Sequence, residues 1–176
     1  MVGPEFGRLL AAAQRGDEQA FATLYRDAQP VLLRYLRVAA DPGTAEDVAA
    51  ETWVSVVRGL QKFRGDEQGW RSWLVTTARR RAVDAGRLRD RHPTVPLERG
   101  HEPAAAPPAE AVALQGLDTA AALALVATLP PQQAEAIVLR VVVGLEPKQV
   151  AAVLGCSPGA VRVAVHRGLR RLAELM

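Results

Sequence analysis

The stretch that most constrains this chain lies near its middle. From His92 to Glu110 it reads HPTVPLERGHEPAAAPPAE, with five prolines and almost no periodic apolar pattern. Proline lacks the amide donor a helix interior needs and favours extended backbone, so such a run works as a linker. A linker is therefore expected over 92–115, with residues 1–91 and 116–176 as units on either side. The aromatic residues divide near the same place, since every Phe, Tyr and Trp lies at or before Trp73. Two small modules with separate cores follow from that division, and 176 residues suffice for both. A hydrophobic fraction of 49% excludes a globally disordered chain.

Both units read as helical, so the expected class is all-α. Residues 5–15 (EFGRLLAAAQR) form a first helix ending at Gly16. Asp17 caps a second, EQAFATLYRDAQPVLLRYLRVA, with Phe21, Leu24, Tyr25, Leu32, Tyr35 and Leu36 as core candidates. Pro30 inside it is expected to kink or split it. After the turn Asp41-Pro42-Gly43, Thr44 and Asp47 have capping-box spacing and open a third helix, TAEDVAAETWVSVVRGL. Val48, Thr52 and Val56 with Ala49, Trp53 and Val57 give it two buried rows. Glu46, Asp47 and Glu51 lie on its outer edge, where the helix dipole favours acids near the start.

A polar loop, Gly65 to Gly69, leads into the basic stretch from Trp70 to Arg91, WRSWLVTTARRRAVDAGRLRDR, with seven Arg and no Lys. At 3.6 residues per turn, Trp70, Trp73, Leu74, Thr77, Ala78, Ala85 and Leu88 share one side. Thr76, Arg79, Arg80, Val83 and Arg87 form a second stripe. One side is thus suited to burial under indoles while the other presents guanidinium groups, which pair with phosphates and base edges in a planar, bidentate way.

In the second unit, LDTAAALALVATL begins near Gly116 and is stopped by Pro130-Pro131. PQQAEAIVLRVVVG follows, with Ala134, Ile137, Val138 and Val141 spaced for one buried stripe and Gly144 after its end. The segment 146–171, EPKQVAAVLGCSPGAVRVAVHRGLRR, has the layout of a helix-turn-helix. Glu146 to Leu154 is a short helix with small Ala151 at the crossing. Gly155-Cys156-Ser157 is the turn, and Ser157 caps a last helix that has Pro158 in its first turn and runs to about Leu175. Val161, Val165, Leu169 and Leu172 hold that helix on its core. Arg162, Val163, His166, Arg167 and Arg170 face outward. In this motif the second helix enters the major groove by its N-terminal half, where Gly159 and Ala160 permit close approach.

Charge supports a polyanionic partner. The net charge is only +3, but the basic residues cluster at 79–91 and 162–171, which favours nucleic acid through phosphate neutralisation. A single Cys, Cys156, excludes an internal disulfide and reads as structural. No run approaches the ~20 apolar residues a membrane span needs, so a soluble, cytoplasmic chain is expected. His92, His101 and His166 are too far apart for a metal site on spacing. No Gly-rich phosphate loop, nucleophile elbow or paired carboxylates suggest a cofactor or an enzyme. A free-standing helix-turn-helix regulator is the alternative reading, but it would need a dimerisation element to set half-site spacing.

The order of these features resembles bacterial sigma factors of the extracytoplasmic-function type. Ala45, Glu46, Asp47, Val48, Glu51 and Trp53 follow the family pattern Ala-Glu-Asp-Leu-x-Gln-Glu-x-Phe, with Ala50 in place of Gln. Trp73, Leu74, Ala78, Ala82, Asp84 and Arg87 follow its next pattern, with Thr77 for Ile and Arg80 for Asn. Leu129, Pro130, Leu139 and Arg140, then Val150, Ala151, Leu154, Gly155 and Val161, match the second module. The resemblance implies a specificity subunit of core RNA polymerase, with Glu46, Asp47 and Glu51 docking on the β′ clamp helices. It implies that the basic helix reads the −10 promoter element through Thr76, Arg79, Arg80, Val83 and Arg87. The 64–69 loop, with Arg64, would capture a flipped base. Ser157, Gly159, Ala160, Arg162, Val163, His166, Arg167 and Arg170 would read the −35 element. The linker would thread the RNA exit path, and an anti-sigma protein is an expected partner. Arg80 in place of Asn bears on −10 preference, because an amide pairs with adenine edges and Arg with guanine or phosphate.

Overall fold

A computed structural model of the chain describes residues 2–41, 43–91 and 110–175. The described residues are helical with no strand, as the all-α expectation requires. After a 3-10 turn at Gly3–Glu5 come α1 (Phe6–Gln14), α2 (Glu18–Ala39) and α3 (Ala45–Gly59). A second 3-10 turn, Leu60–Lys62, leads to α4 (Glu67–Arg91). The rest is α5 (Glu110–Ala127), α6 (Pro131–Ile137), a π-helical turn (Val138–Val142), α7 (Pro147–Leu154) and α8 (Pro158–Leu175). Most of the expected linker, 92–109, lies outside the described residues, and its last six positions are the start of α5.

The helix starts follow from local chemistry, in places differently from the expectation. Asp17 accepts from the Ala20 amide at 3.0 Å and caps α2. Thr44 does not close a capping box with Asp47; its hydroxyl donates backward to the Asp41 carbonyl at 2.8 Å. The capping box lies instead at α7, between Glu146 and Gln149. Helix α4 starts three residues before Trp70, because Asp66 accepts from the Gly69 amide at 2.7 Å and caps it. Only 63–66 remain as loop. Pro30 does not split α2, which is one helix of 22 residues. Pro30 and Arg26, whose carbonyl would otherwise receive the missing amide, both lie on the exposed side of the helix, so the lost bond is not buried.

Module one is built on a nest of aromatic rings. Trp53 on α3 lies 4.7 Å from Tyr25, 6.1 Å from Phe21 and 6.4 Å from Trp70, ring centre to ring centre. Phe63 stacks on Trp73 at 5.0 Å and meets Trp70 edge-on at 5.6 Å. The Trp53 indole donates to Gln29 at 2.6 Å, and the Gln14 amide donates to the carbonyls of Leu60 and Phe63, both at 2.9 Å. Each such ring pair adds about 0.5–1.5 kcal/mol beyond its burial. Two expected core residues are exposed: Val57 at 53%, and Tyr25 at 37% with its ring against Trp53. The α3 stripe is narrower than two full rows because α3 packs on α2 and α4 along a single side.

In module two the expected buried stripe breaks at Val141, which is 66% exposed. The cause is the π-turn: the Val143 amide reaches the Val138 carbonyl at 3.0 Å, a five-residue step. The wider turn delays the apolar phase, so Val143 and Leu145 are buried in place of Val141. Gly144, at φ 77°, then closes the segment, and the Leu145 amide reaches the Leu139 carbonyl. On α8 Leu169 is exposed, against expectation, and its neighbour Gly168 is buried instead. A Cβ on Gly168 would stand 2.6 Å from Ile137 Cδ1 and 3.3 Å from Gln133 Cβ, so this glycine sets the close crossing of α6 and α8.

The expectation of two separate cores is overturned. Helix α2 packs on α5, α6 and the π-turn, and α4 packs on α7. Val31, Leu32, Leu74 and Val75 of module one face Val142 and Val143 of module two across one small cavity of about 110 Å³. Val75 is 1% exposed although it belongs to neither stripe of the helical wheel. Each module carries an apolar strip that its own helices leave uncovered, and the two strips cover each other.

Gly59 lies against Trp73, and a Cβ there would come 2.8 Å from its ring. A rigid indole cannot yield as an aliphatic tip does. Gly59→Ala is expected to destabilise the chain by about 1–3 kcal/mol. Gly7→Ala, with open space around it, should stabilise by about 0.5–1 kcal/mol. Urea denaturation followed by tryptophan emission checks both.

Candidate nucleic-acid interface

The helix-turn-helix forms as its parts require. Gly155 takes the left-handed conformation (φ 69°, ψ 36°) at the end of α7, which glycine adopts without a Cβ penalty. Ala151, buried at the crossing, lets α7 and α8 approach. Ser157 accepts from the Ala160 amide at 3.1 Å, and Pro158 opens α8. Val161 is buried, with Val165 and Leu172 partly so.

The outward set on α8 comes out as a continuous exposed face. Gly159, Ala160, Arg162, Val163, His166, Arg167 and Arg170 are all exposed. Arg170 pairs with Glu174 one turn on, at 3.3 Å, a surface pair of little energetic weight. Exposed Cys156 lies in the turn. Among the described residues, no three His, Cys, Asp or Glu side chains are grouped to hold a metal ion.

The basic face of α4 is less uniform than its sequence suggests. Arg80, Val83 and Arg87 are exposed. Thr76 donates its hydroxyl to the Ser72 carbonyl at 2.7 Å. Arg81, outside the stripe, donates to the Ser55 hydroxyl at 2.8 Å and ties α4 to α3. Arg64 donates to the carbonyls of Gln61 and Phe63, at 2.8 and 2.7 Å, and so braces the loop that carries it. Trp70 is buried and Trp73 is stacked on Phe63, so these indoles are core. Glu46, Asp47 and Glu51 are exposed on α3.

Arg79 has a partner no helical wheel could reveal. Its Nε donates to Glu135 of α6 at 2.8 Å, and the Tyr35 hydroxyl donates to the same carboxylate oxygen at 2.7 Å. Burial first, then the Glu135 carboxylate, hold the Tyr35 hydroxyl well above the ordinary phenol range, with Arg79 acting in the opposite sense. The hydroxyl is therefore a proton donor at neutral pH. Residues 35, 79 and 135 are too far apart in sequence for any local pattern to join them, and Glu135 carries no motif.

Two family models match the chain, Sigma-70 region 2 over residues 24–92 and Sigma-70 region 4 over residues 119–172. The ECF RNA polymerase sigma factor ShbA of Streptomyces griseus is 38% identical over 96% of this chain and 94% of that protein. ECF sigma factor SigD of Mycobacterium tuberculosis is 33% identical over 99% and 85%. Among solved structures, CnrH in complex with the cytosolic domain of CnrY aligns with a TM-score of 0.64 at 25% identity, covering 95% of this chain and 94% of that one. Sigma factor RpoE in complex with the anti-sigma factor NepR, from Bartonella quintana, gives 0.60 at 25% identity, over 87% and 96%. No helix among the described residues is long and apolar enough to cross a membrane.

Because Ser157 holds the first turn of α8, Ser157→Ala is expected to lower stability by about 1 kcal/mol. Ser157→Asp, which restores an acceptor at the cap, should recover most of it. Thermal denaturation of the two variants beside the parent gives the comparison.

Proposed function

The chain belongs to the sigma-70 family of RNA polymerase sigma factors, in its extracytoplasmic-function group, and on that premise we propose how its residues divide the work. A sigma factor of this kind binds core RNA polymerase and directs initiation at chosen promoters, and this chain carries regions 2 and 4 in that order. Residues 1–91 form the unit that docks on the polymerase and reads the −10 element. Residues 92–115 connect it to residues 116–176, which read the −35 element.

The exposed face of α8 carries this reading furthest. A capped helix with Arg162, His166 and Arg167 outward and Gly159 and Ala160 at its tip fits a major groove, with base edges near the tip and phosphates farther along. On α4, Thr76, Arg79, Arg80, Val83 and Arg87 take the −10 strand, and the short loop with Arg64 receives the extruded base. Exposed Glu46, Asp47 and Glu51 form the acidic surface for the β′ clamp helices. Each reader is weak alone; joined and seated on one polymerase they gain by effective concentration. The chain acts in the cytoplasm as a specificity subunit, with no catalysis of its own. The relatives CnrH and RpoE were solved with partner proteins, and by that likeness an anti-sigma protein is a partner here.

Run-off transcription with bacterial core polymerase on a random promoter library tests this reading; absence of selected start sites, with folded protein, refutes it. Arg162→Ala or His166→Ala should reduce −35-dependent transcription about tenfold while core binding persists. Glu51→Arg should do the reverse and lose co-purification with core enzyme first. Equal loss of core binding in the α8 variants would sink the assignment of that face.

A further inference from the structure

The 63–66 loop joins the second 3-10 turn to α4, and its two ends are anchored by their own side chains. Phe63 stacks on Trp73, and Asp66 caps α4. The approach to the loop is held from elsewhere. Gln14 is the last residue of α1, and its side-chain amide donates to the Leu60 and Phe63 carbonyls, each at 2.9 Å. Gln61 returns a bond, its side-chain amide donating to the backbone carbonyl of Gln14. Arg64 adds two more, from one guanidinium nitrogen to the Gln61 and Phe63 carbonyls at 2.8 and 2.7 Å.

The two acceptors settle which end of the Gln14 amide faces the loop. Carbonyl oxygens only accept, so the NH2 group lies there and both of its hydrogens are used. A glutamate at 14 would set carboxylate oxygens against carbonyl oxygens, and a methionine of similar length would leave both carbonyls without that donor. The donor itself is held still. Phe6, Leu10 and Ala13 bury one side of α1, and the Phe6 ring lies 6.1 Å from that of Trp70. A helix that carries none of the assigned promoter contacts thus reaches the loop across sequence separations of 46 and 49 residues.

Extruding a base from a duplex costs stacking and pairing, which the receiving site must offset. A loop already in its receiving shape offsets more of that cost than one that must be ordered on contact. We infer that Gln14 is a positioning residue for promoter opening: its two bonds fix the start of the 63–66 loop, so that the seat for the extruded base exists before DNA arrives. Arg64 acts in the same sense, through the backbone of its own loop. The inference rests on the reading of this loop as that seat.

A double-mutant cycle between the residue and the base provides the test. The full chain is bound to bacterial core polymerase, and affinity is measured for promoters opened across the −10 element by mismatches. Each −10 position of the non-template strand is made abasic in turn. The parent is expected to lose about tenfold at the position of the extruded base. Gln14→Met is expected to bind the intact promoter less tightly and to lose only about twofold when that base is removed. Gln61→Met, which loosens the same joint from its exposed side, should fall between the two. Arg8→Ala breaks only a surface pair between α1 and Glu5, and should match the parent. A merely structural role for Gln14 would weaken binding to both templates alike and leave the tenfold ratio intact. Thermal denaturation identifies any variant that does not fold; if Gln14→Met is one, Gln61→Met decides. A ratio equal to the parent's in the folded variants overturns the role of Gln14 and leaves the loop's assignment standing. A parent insensitive to every abasic position overturns the seat and the inference together, while selective run-off transcription judges the sigma-factor function separately.

Discussion

Everything in module one depends on how its aromatic rings pack. Trp53, Trp70 and Trp73 with Phe6, Phe21 and Phe63 occupy the space among α1, α2, α3 and α4, and no helix can rotate without opening it. Interiors packed this closely transmit constraint and do not absorb it. The rotation of α4 about its axis is set by which indoles go inward, and that decides which arginines point outward. The same packing orients α3 with its acids exposed. The acidic edge of α3 and the basic face of α4 are thus held in fixed relation by the core beneath them.

Module two lacks rings and reaches its geometry by close approach. Ala151 and Gly168 let backbones come together where a larger side chain would hold them apart, and Gly155 supplies the left-handed turn between α7 and α8. Burial per residue is modest in so small an aliphatic unit, and its apolar π-turn strip gains cover from α2 and α4. The interface between the modules follows from this need, and Glu135 with Arg79 and Tyr35 adds direction to apolar contact that would otherwise be tolerant of sliding.

Much of this was legible in local pattern. Caps at Asp17 and Ser157, the turn at Gly155 and the outward face of α8 follow from residue type and spacing, because they involve groups within a turn of one another. Where local pattern and structure differ, the cause lies in longer-range packing or competing partners. A uniform helical period buries Val141, but the π-turn breaks that period, and the Gly168 crossing leaves apolar Leu169 without cover. Thr44 had the spacing of a capping box, but its hydroxyl found a nearer carbonyl. Val75 belonged to no stripe because the surface that covers it comes from the other module.

By itself, then, the order of residues determined an all-helical chain, a break near its middle, two clusters of arginine and a helix-turn-helix, since short-range sterics and periodicity suffice for these. Only the tertiary structure decided that the cores merge, that Arg79 meets Glu135, and that Val75 is buried. Those outcomes depend on apolar surface left over after each module has folded. Which remote side chain covers such a remainder is a property of assembled shape, and no window of neighbouring residues contains it.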